Sequence, residues 1–280
     1  MDLYFNSPRS VYKKGFGYAL SHELTDRHTI ELYKTLKGLI LDNGADELGE
    51  GEGGARLAWL AGRLEPNWVI LPDVLHKDKK TRKKSLDFYN FMRDTGYDGK
   101  FMSVIQAKTP KKGLQSYDFW AESGIVDRIG ITYDTQISTG SELSQSSWGK
   151  RLSFIIELLT SGRTQLPIHL LGTLDVKELN VLFTRYPGFI PNIASHDTTA
   201  PYACPTKFLV NKDGISFGRA KDWPKLDFNK SYTFSEWDTA CFNVAAYLSA
   251  CCVPKTEWNK YLANDKVDFY WDQIEKLRER

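Results

Sequence analysis

An alternation runs through most of this chain and limits the folds open to it. Short β-branched or apolar runs recur along it, each followed by polar or glycine residues and then by a longer stretch with helical spacing. Repeated β–α units read this way, because a strand buried on both faces is a short continuous apolar run and its covering helix is apolar at positions three and four apart. Eight such runs occur, at 3–6, 17–21, 38–42, 68–73, 101–106, 128–133, 167–171 and 191–197. The helical stretches between them include 26–36, 53–61, 81–95, 112–123, 144–159 and 176–186. Eight strands in this alternation predict an α/β fold closed into a (β/α)8 TIM barrel rather than an open sheet.

After position 197 the rhythm breaks. Segment 208–217 predicts a hairpin around Asp213-Gly214, and 234–252, with Trp237 and Phe242, a largely buried helix. No linker, low-complexity tract or fixed-period repeat divides the 280 residues. The expected arrangement is therefore one domain, a barrel core over 1–205 with a C-terminal appendage, 206–280, packed on it. A hydrophobic fraction of 41% is that of an ordinary core. Cys204, Cys241, Cys251 and Cys252 match neither a disulfide framework nor a paired metal knuckle, and read as buried or spare thiols. The first residues show no basic stretch leading into an apolar run, and no run is long enough to span a bilayer, so a cytoplasmic protein is expected.

Barrel enzymes carry their chemistry at the carboxyl ends of the strands, where the loops converge over the barrel axis. The ends here read Asp42, Asp73, Gln106, Asp134 and Asp197. An aspartate after a strand is also a common helix cap and turn former. Asp134, followed by Thr135, is read that way, and Asp46, Glu47, Glu50 and Glu52 form a glycine-rich acidic loop read as solvated. Carboxylates at so many strand ends are nonetheless more than packing calls for, and Asp42, Asp73 and Asp197 with Gln106 form the candidate site.

At these residues the chain resembles the queuine and archaeosine tRNA-guanine transglycosylase superfamily, and more closely its shorter relatives from phages and bacterial islands, the 7-deazaguanine DNA transglycosylases. The similarity runs from 38 to 201, a little over half the chain. Leu41-Asp42-Asn43-Gly44 resembles the family's Asp-Ser-Gly-Gly strand end, which carries the acid/base aspartate, and Leu71-Pro72-Asp73 falls where the base-reading aspartate lies. Val104-Ile105-Gln106-Ala107 is similar to a Gln-Gly strand end that contacts the heterocycle, and Ile129-Gly130-Ile131 to a strand whose glycine meets it with backbone. His169-Leu170-Leu171-Gly172 is the most specific match, and Ser195-His196-Asp197 falls at the nucleophilic aspartate. Two departures matter. The Cys-x-Cys-x-x-Cys plus His zinc pattern of the tRNA enzymes has no counterpart, so no metal and no cofactor are assigned. Asp197 is followed by Thr198-Thr199-Ala200-Pro201 instead of an arginine-bearing loop.

The resemblance implies exchange of guanine in DNA for a free 7-deazaguanine base such as 7-cyano-7-deazaguanine (preQ0), with guanine leaving. Asp197 would be the nucleophile, Asp42 the general acid/base, and Asp73, Gln106, Gly130 and Gly172 the groups that read the base. A tRNA substrate with the same chemistry, or a non-catalytic nucleic-acid-binding relative, stays open. His169 and His196 read as hydrogen-bonded supporting residues, since the family logic uses carboxylates. His76, Trp68 and Tyr133 are stacking candidates that could equally serve the core or rim.

The net charge of +2 says nothing for nucleic acid, but its distribution does. One basic run holds Lys77, Lys79, Lys80, Arg82, Lys83 and Lys84, and a second holds Lys108, Lys111 and Lys112. They begin just after the fourth and fifth strands, so Lys77, Lys79, Lys80, Lys108 and Lys111 could meet a nucleic-acid backbone; a solvated helix face is the equally weighted alternative.

Overall fold

The computed structural model describes residues 1–5, 16–173, 176–198, 200–204, 206–211, 214–216, 232–262 and 266–279. Its centre is a closed barrel of eight parallel strands: β1 Asp2–Phe5, β2 Phe16–Leu20, β3 Gly38–Asp42, β4 Trp68–Ile70, β5 Phe101–Val104, β6 Arg128–Thr132, β7 Ile168–Leu171 and β8 Ile193–Thr198. Each pairs with the next, and β8 closes on β1 through Asp2–Ser195 to Phe5–Thr198. Helices α1 Arg27–Tyr33, α2 Ala45–Leu48, α3 Ala55–Leu64, α4 Asp78–Asp94, α5 Pro110–Ser123, α6 Ser147–Thr160 and α7 Val176–Arg185 alternate with the strands from β2 onward.

The fourth and fifth strands stop at Ile70 and Val104, earlier than 73 and 106. Each ladder frays, since Leu71 N–H still donates to Met102 O at 2.8 Å and Ile105 N–H to Gly130 O at 3.0 Å. Past that point Asp73 turns to another partner, its carbonyl accepting from Gly51 N–H at 2.8 Å. The acidic glycine-rich loop is thus laced across the ends of β3 and β4.

Side chains alternate across the barrel wall with the period of a strand. Leu39, Leu41, Val69, Ile129, Ile131 and Leu170 point outward into the large core shared with the helices. Tyr4, Tyr18, Ile40, Ile70, Met102 and Leu171 point inward and pack against one another. The interior is therefore filled, and any site must sit on its rim.

Beyond the barrel follow α8 Ala200–Ala203, the antiparallel pair β9 Leu209–Asn211 and β10 Gly214–Ser216, α9 Phe234–Ala250 and α10 Val267–Arg278. The Asp213 half of the expected hairpin turn lies outside the described residues. Thr233 and Glu236 form a reciprocal capping box that starts α9, and from Ala240 to Ala250 that helix is buried. Asn243 fixes the preceding segment: its Oδ1 accepts from Phe208 N–H at 2.7 Å, and its Nδ2 donates to Thr206 O at 3.0 Å. Residues of α9 and of the barrel's outer layer belong to one buried cluster. The four cysteines are free thiols, Cys252 exposed and the others buried. Among the described residues no helix is long and apolar enough to cross a membrane.

Candidate active site

A cavity of about 340 Å³ opens at the carboxyl ends of the strands. Asp42, Asp73, Gln106, Gly172 and Asp197 line it, with Leu20, Ile70, Val104 and Leu171 as apolar walls and Tyr18, His76 and Tyr133 between them. Its size lies at the small end of the range for ligand pockets, roughly 300–1,000 Å³. Five of the six residues assigned to bond making and base reading therefore converge.

Asp42 and Asp197 are each held by a backbone amide of a left-handed glycine. Gly44, at φ +73°, donates its N–H to Asp42 Oδ1 at 2.8 Å, and Gly172, at φ +65°, donates to Asp197 Oδ1 at 2.9 Å. A side chain disfavours that conformation, which explains a glycine at each position. The other oxygen of Asp42 accepts from the Tyr18 phenol. Asp197 is buried, and its Oδ1 also meets His169 Nε2 at 3.1 Å; among the described residues no hydrogen bond reaches Oδ2.

Asp73 is differently placed. Asn43 Nδ2 donates to its Oδ1 at 2.9 Å and Gln106 Nε2 to its Oδ2 at 2.5 Å. Burial pushes its carboxyl up to about 6, against the opposing pull of these two amides. Gln106 is oriented from its far side, since His76 N–H donates to its Oε1 at 2.9 Å. His76 sits at φ +57°, a strained setting for a non-glycine residue, and that backbone aims its amide at Gln106.

Some expected groups lie elsewhere. Gly130 faces the barrel interior but is one layer too deep: it does not line the cavity, and a Cβ there would meet Leu171 Cδ1 at 2.7 Å. The carboxyl-end residue of β6 on that face is Thr132, which does line the cavity. Trp68 is not at the rim either, as it opens β4 with the Arg128 guanidinium 3.9 Å over its ring. His196 points outward to α9, with Nδ1 3.5 Å from Tyr247 Oη, and burial pushes its pKa to about 3, so it stays neutral. Asp46 and Asp134, read as solvated or turn residues, are exposed but also lie on the cavity rim.

Helix α4 begins at Asp78, three residues before the expected 81, which puts Lys79 and Lys80 on its first turn and Lys77 just before it. Lys77, Lys79, Lys108 and Lys111 are exposed and take part in no ion pair among the described residues. Lys80 does: its Nζ is 2.7 Å from Glu50 Oε2, and Lys84 holds the other oxygen at 2.7 Å. Glu50 is thus exposed, as expected, and tied by two lysines to the basic surface.

No family model matches this chain, and no curated protein does. The site must therefore be read from its own geometry. Tyr18 and Asn43, which hold Asp42 and Asp73, were not singled out in the sequence; the inward parity of Tyr18 with Leu20 was the available signal for the first. Among the described residues no group of three or more His, Cys, Asp or Glu is placed to hold a metal ion.

Proposed function

We propose that this chain is a glycosyltransferase that exchanges guanine in DNA for a 7-deazaguanine base through a covalent aspartyl-sugar intermediate. One observation carries the reading: Asp42, Asp73, Gln106 and Asp197, from four different strand ends, line a single small cavity.

The chemistry follows from how each is held. Among the described residues, Asp197 has one oxygen fixed by two neighbours and one without, as suits a carboxylate that must attack an anomeric carbon. As its bond to the sugar forms, the glycosidic bond breaks and the electron pair leaves on the purine ring nitrogen, which Asp42 protonates. In the second half Asp42 takes the ring N–H proton of the incoming 7-deazaguanine. That nitrogen attacks the sugar, and the ester bond to Asp197 opens. Two displacements return the original configuration.

Asp73 and Gln106, each already oriented, would accept and donate hydrogen bonds to the purine edge, with Gly172 and Thr132 beside them. A buried site of that kind rejects a base with the wrong donor pattern by leaving its own groups unpaired. DNA as the polymer is supported by the missing zinc pattern in the sequence, by the residues after Asp197, and by Lys77, Lys79, Lys108 and Lys111, which are exposed and without an ion pair among the described residues. The target base must be flipped out or single-stranded, and those lysines would hold flanking phosphates.

The test is incorporation of labelled 7-cyano-7-deazaguanine into guanine-containing DNA and, in parallel, into tRNA, followed by mass spectrometry of the nucleosides. Incorporation into DNA that disappears in Asp197→Ala is expected. Full incorporation by Asp197→Ala overturns the mechanism, and incorporation into tRNA alone overturns the substrate.

A further inference from the structure

TIM-barrel interiors are usually layered with branched apolar side chains. Here β6, β7 and β8 place a polar column instead. Arg128 Nη1 lies 2.5 Å from Ser195 Oγ, Ser195 Oγ 2.6 Å from His169 Nδ1, and His169 Nε2 3.1 Å from Asp197 Oδ1. Ser195, His169 and Asp197 are almost fully buried and Arg128 is 7% exposed. The column runs from the Trp68 end of the barrel to the cavity.

Its direction is fixed by chemistry. A guanidinium has only donors, so Ser195 Oγ accepts from Arg128. The second lone pair of Ser195 Oγ would leave the His169 contact open in either sense, but the far end decides it. The Asp197 carboxylate only accepts, so a neutral ring must present its one N–H from Nε2, and bare Nδ1 takes the Ser195 hydroxyl proton. The ring proton of neutral His169 is left on Nε2, where it donates to Asp197 Oδ1. Burial supports that state by lowering the imidazole pKa. With Gly172 N–H on the same oxygen at 2.9 Å, both donors occupy Oδ1.

We infer that Arg128, Ser195 and His169 form a one-way hydrogen-bond relay that holds Asp197 with Oδ2 turned to the cavity as its attacking oxygen, making His169 a positioning residue. This rests on the reading of Asp197 as nucleophile. The relay sets which carboxylate oxygen is free and prevents the ring from rotating its donor away. Replacing this column by apolar residues would be the cheaper way to fill a barrel, since each buried polar group has to be compensated by a partner.

Two measurements test it. Ring ¹⁵N spectra of the histidines in the free protein, assigned with His169→Gln, need no substrate. They should show His169 with a protonated Nε2 and a bare Nδ1, unchanged between about pH 5 and 8, and a loss of that single form in Ser195→Ala. A protonated Nδ1, or conversion to the imidazolium in that range, overturns the relay. The second is the rate of covalent adduct formation on DNA set beside the affinity for free base. His169→Phe should slow the adduct about a hundredfold with base affinity changed less than about threefold, and His169→Gln, which keeps a donor, should stay within about tenfold of the parent. If His169→Phe does not fold, Ser195→Ala carries the test with an expected slowing of about tenfold. Parent-like rates in the folded variant overturn the relay and leave Asp197 standing. Full base exchange by Asp197→Ala overturns the nucleophile, while the ring spectra still decide the tautomer.

Discussion

Asp73 makes the fold pH-dependent in a direction opposite to most carboxylates. Its pKa is raised from 3.8 to about 6 because the folded chain buries it, so the folded state binds its proton more tightly than the unfolded one. The stability this group contributes is complete below about pH 4 and is lost as the pH rises through 6. A shift of this size is worth about 3 kcal/mol in total, of which about 2 kcal/mol falls between about pH 4.5 and 7.5. Asp73→Asn removes the ionisation but keeps the shape. It also sets an amide donor against Gln106 Nε2, and Gln106 cannot simply flip, because His76 N–H holds its oxygen. That mismatch costs about 1–3 kcal/mol at every pH. Relative to the parent, the variant should therefore gain about 2 kcal/mol between about pH 4.5 and 7.5, from equal or up to about 2 kcal/mol less stable at the acid end to equal or up to about 2 kcal/mol more stable at the other. Urea unfolding of both proteins at a series of pH values measures it, and other carboxylates cancel in the difference. A difference that stays constant with pH, or that moves in the parent's favour as the pH rises, refutes the claim that burial dominates at this carboxyl.

Two further outcomes are expected. Because Asp73 must be ionised to accept N–H groups from a purine edge, affinity for free 7-deazaguanine base should rise with pH and level off above about 6, with calorimetry at about pH 5 giving roughly tenfold weaker binding than at about pH 7.5. Arg151, fully buried on α6, binds both oxygens of the buried Glu178 and the carbonyls of Ile131 and Leu171, the latter at 2.5 Å; Arg151→Met should cost about 3–5 kcal/mol by removing the guanidinium from a buried carboxylate, and adding Glu178→Leu should recover much of it in thermal or urea melts.

The barrel was legible because its signal is local: an apolar run of four to six residues followed by helical spacing needs no knowledge of distant partners. Strand ends were legible to within two or three residues, β4 and β5 stopping short at Ile70 and Val104, and the rule that chemistry gathers there brought Asp42, Asp73, Gln106 and Asp197 out of 35 acidic residues and the polar remainder. Parity along a strand, however, gives the direction of a side chain and not its depth. Gly130 faces inward as expected, yet Leu171 covers it, and Thr132 takes the rim. Partnerships were less visible still. Lys80 meets Glu50 across 30 positions and Arg128 meets Ser195 across 67, and both depend on how neighbouring strands and loops are set against each other. A basic run shows its charges in sequence; which are already neutralised is decided only by the fold.

The interior column and the raised Asp73 have a common origin in how the barrel lumen is divided. Strands β3 to β5 place Ile40, Ile70, Met102 and Val104 in it, so the half beneath Asp73 is apolar, and among the described residues the side chains that replace water at its carboxyl are the amides of Asn43 and Gln106. Strands β6 to β8 place Arg128, His169 and Ser195 there, so the half beneath Asp197 is a chain of donors ending on that carboxylate. One barrel thus offers two carboxyls unlike surroundings a few strands apart. A group meant to read a neutral heterocycle withstands a pKa near neutrality, since its protonation lowers affinity without disabling the bond-making group. A nucleophile does not, because a protonated carboxyl cannot attack. If the division is what separates the two roles, moving apolar character into the donor half, as in Ser195→Val with Arg128→Met, should impair adduct formation while leaving base affinity and its rise with pH as they were. Equal loss of both would mean that the lumen acts as a single packing unit and that the roles are set at the rim alone.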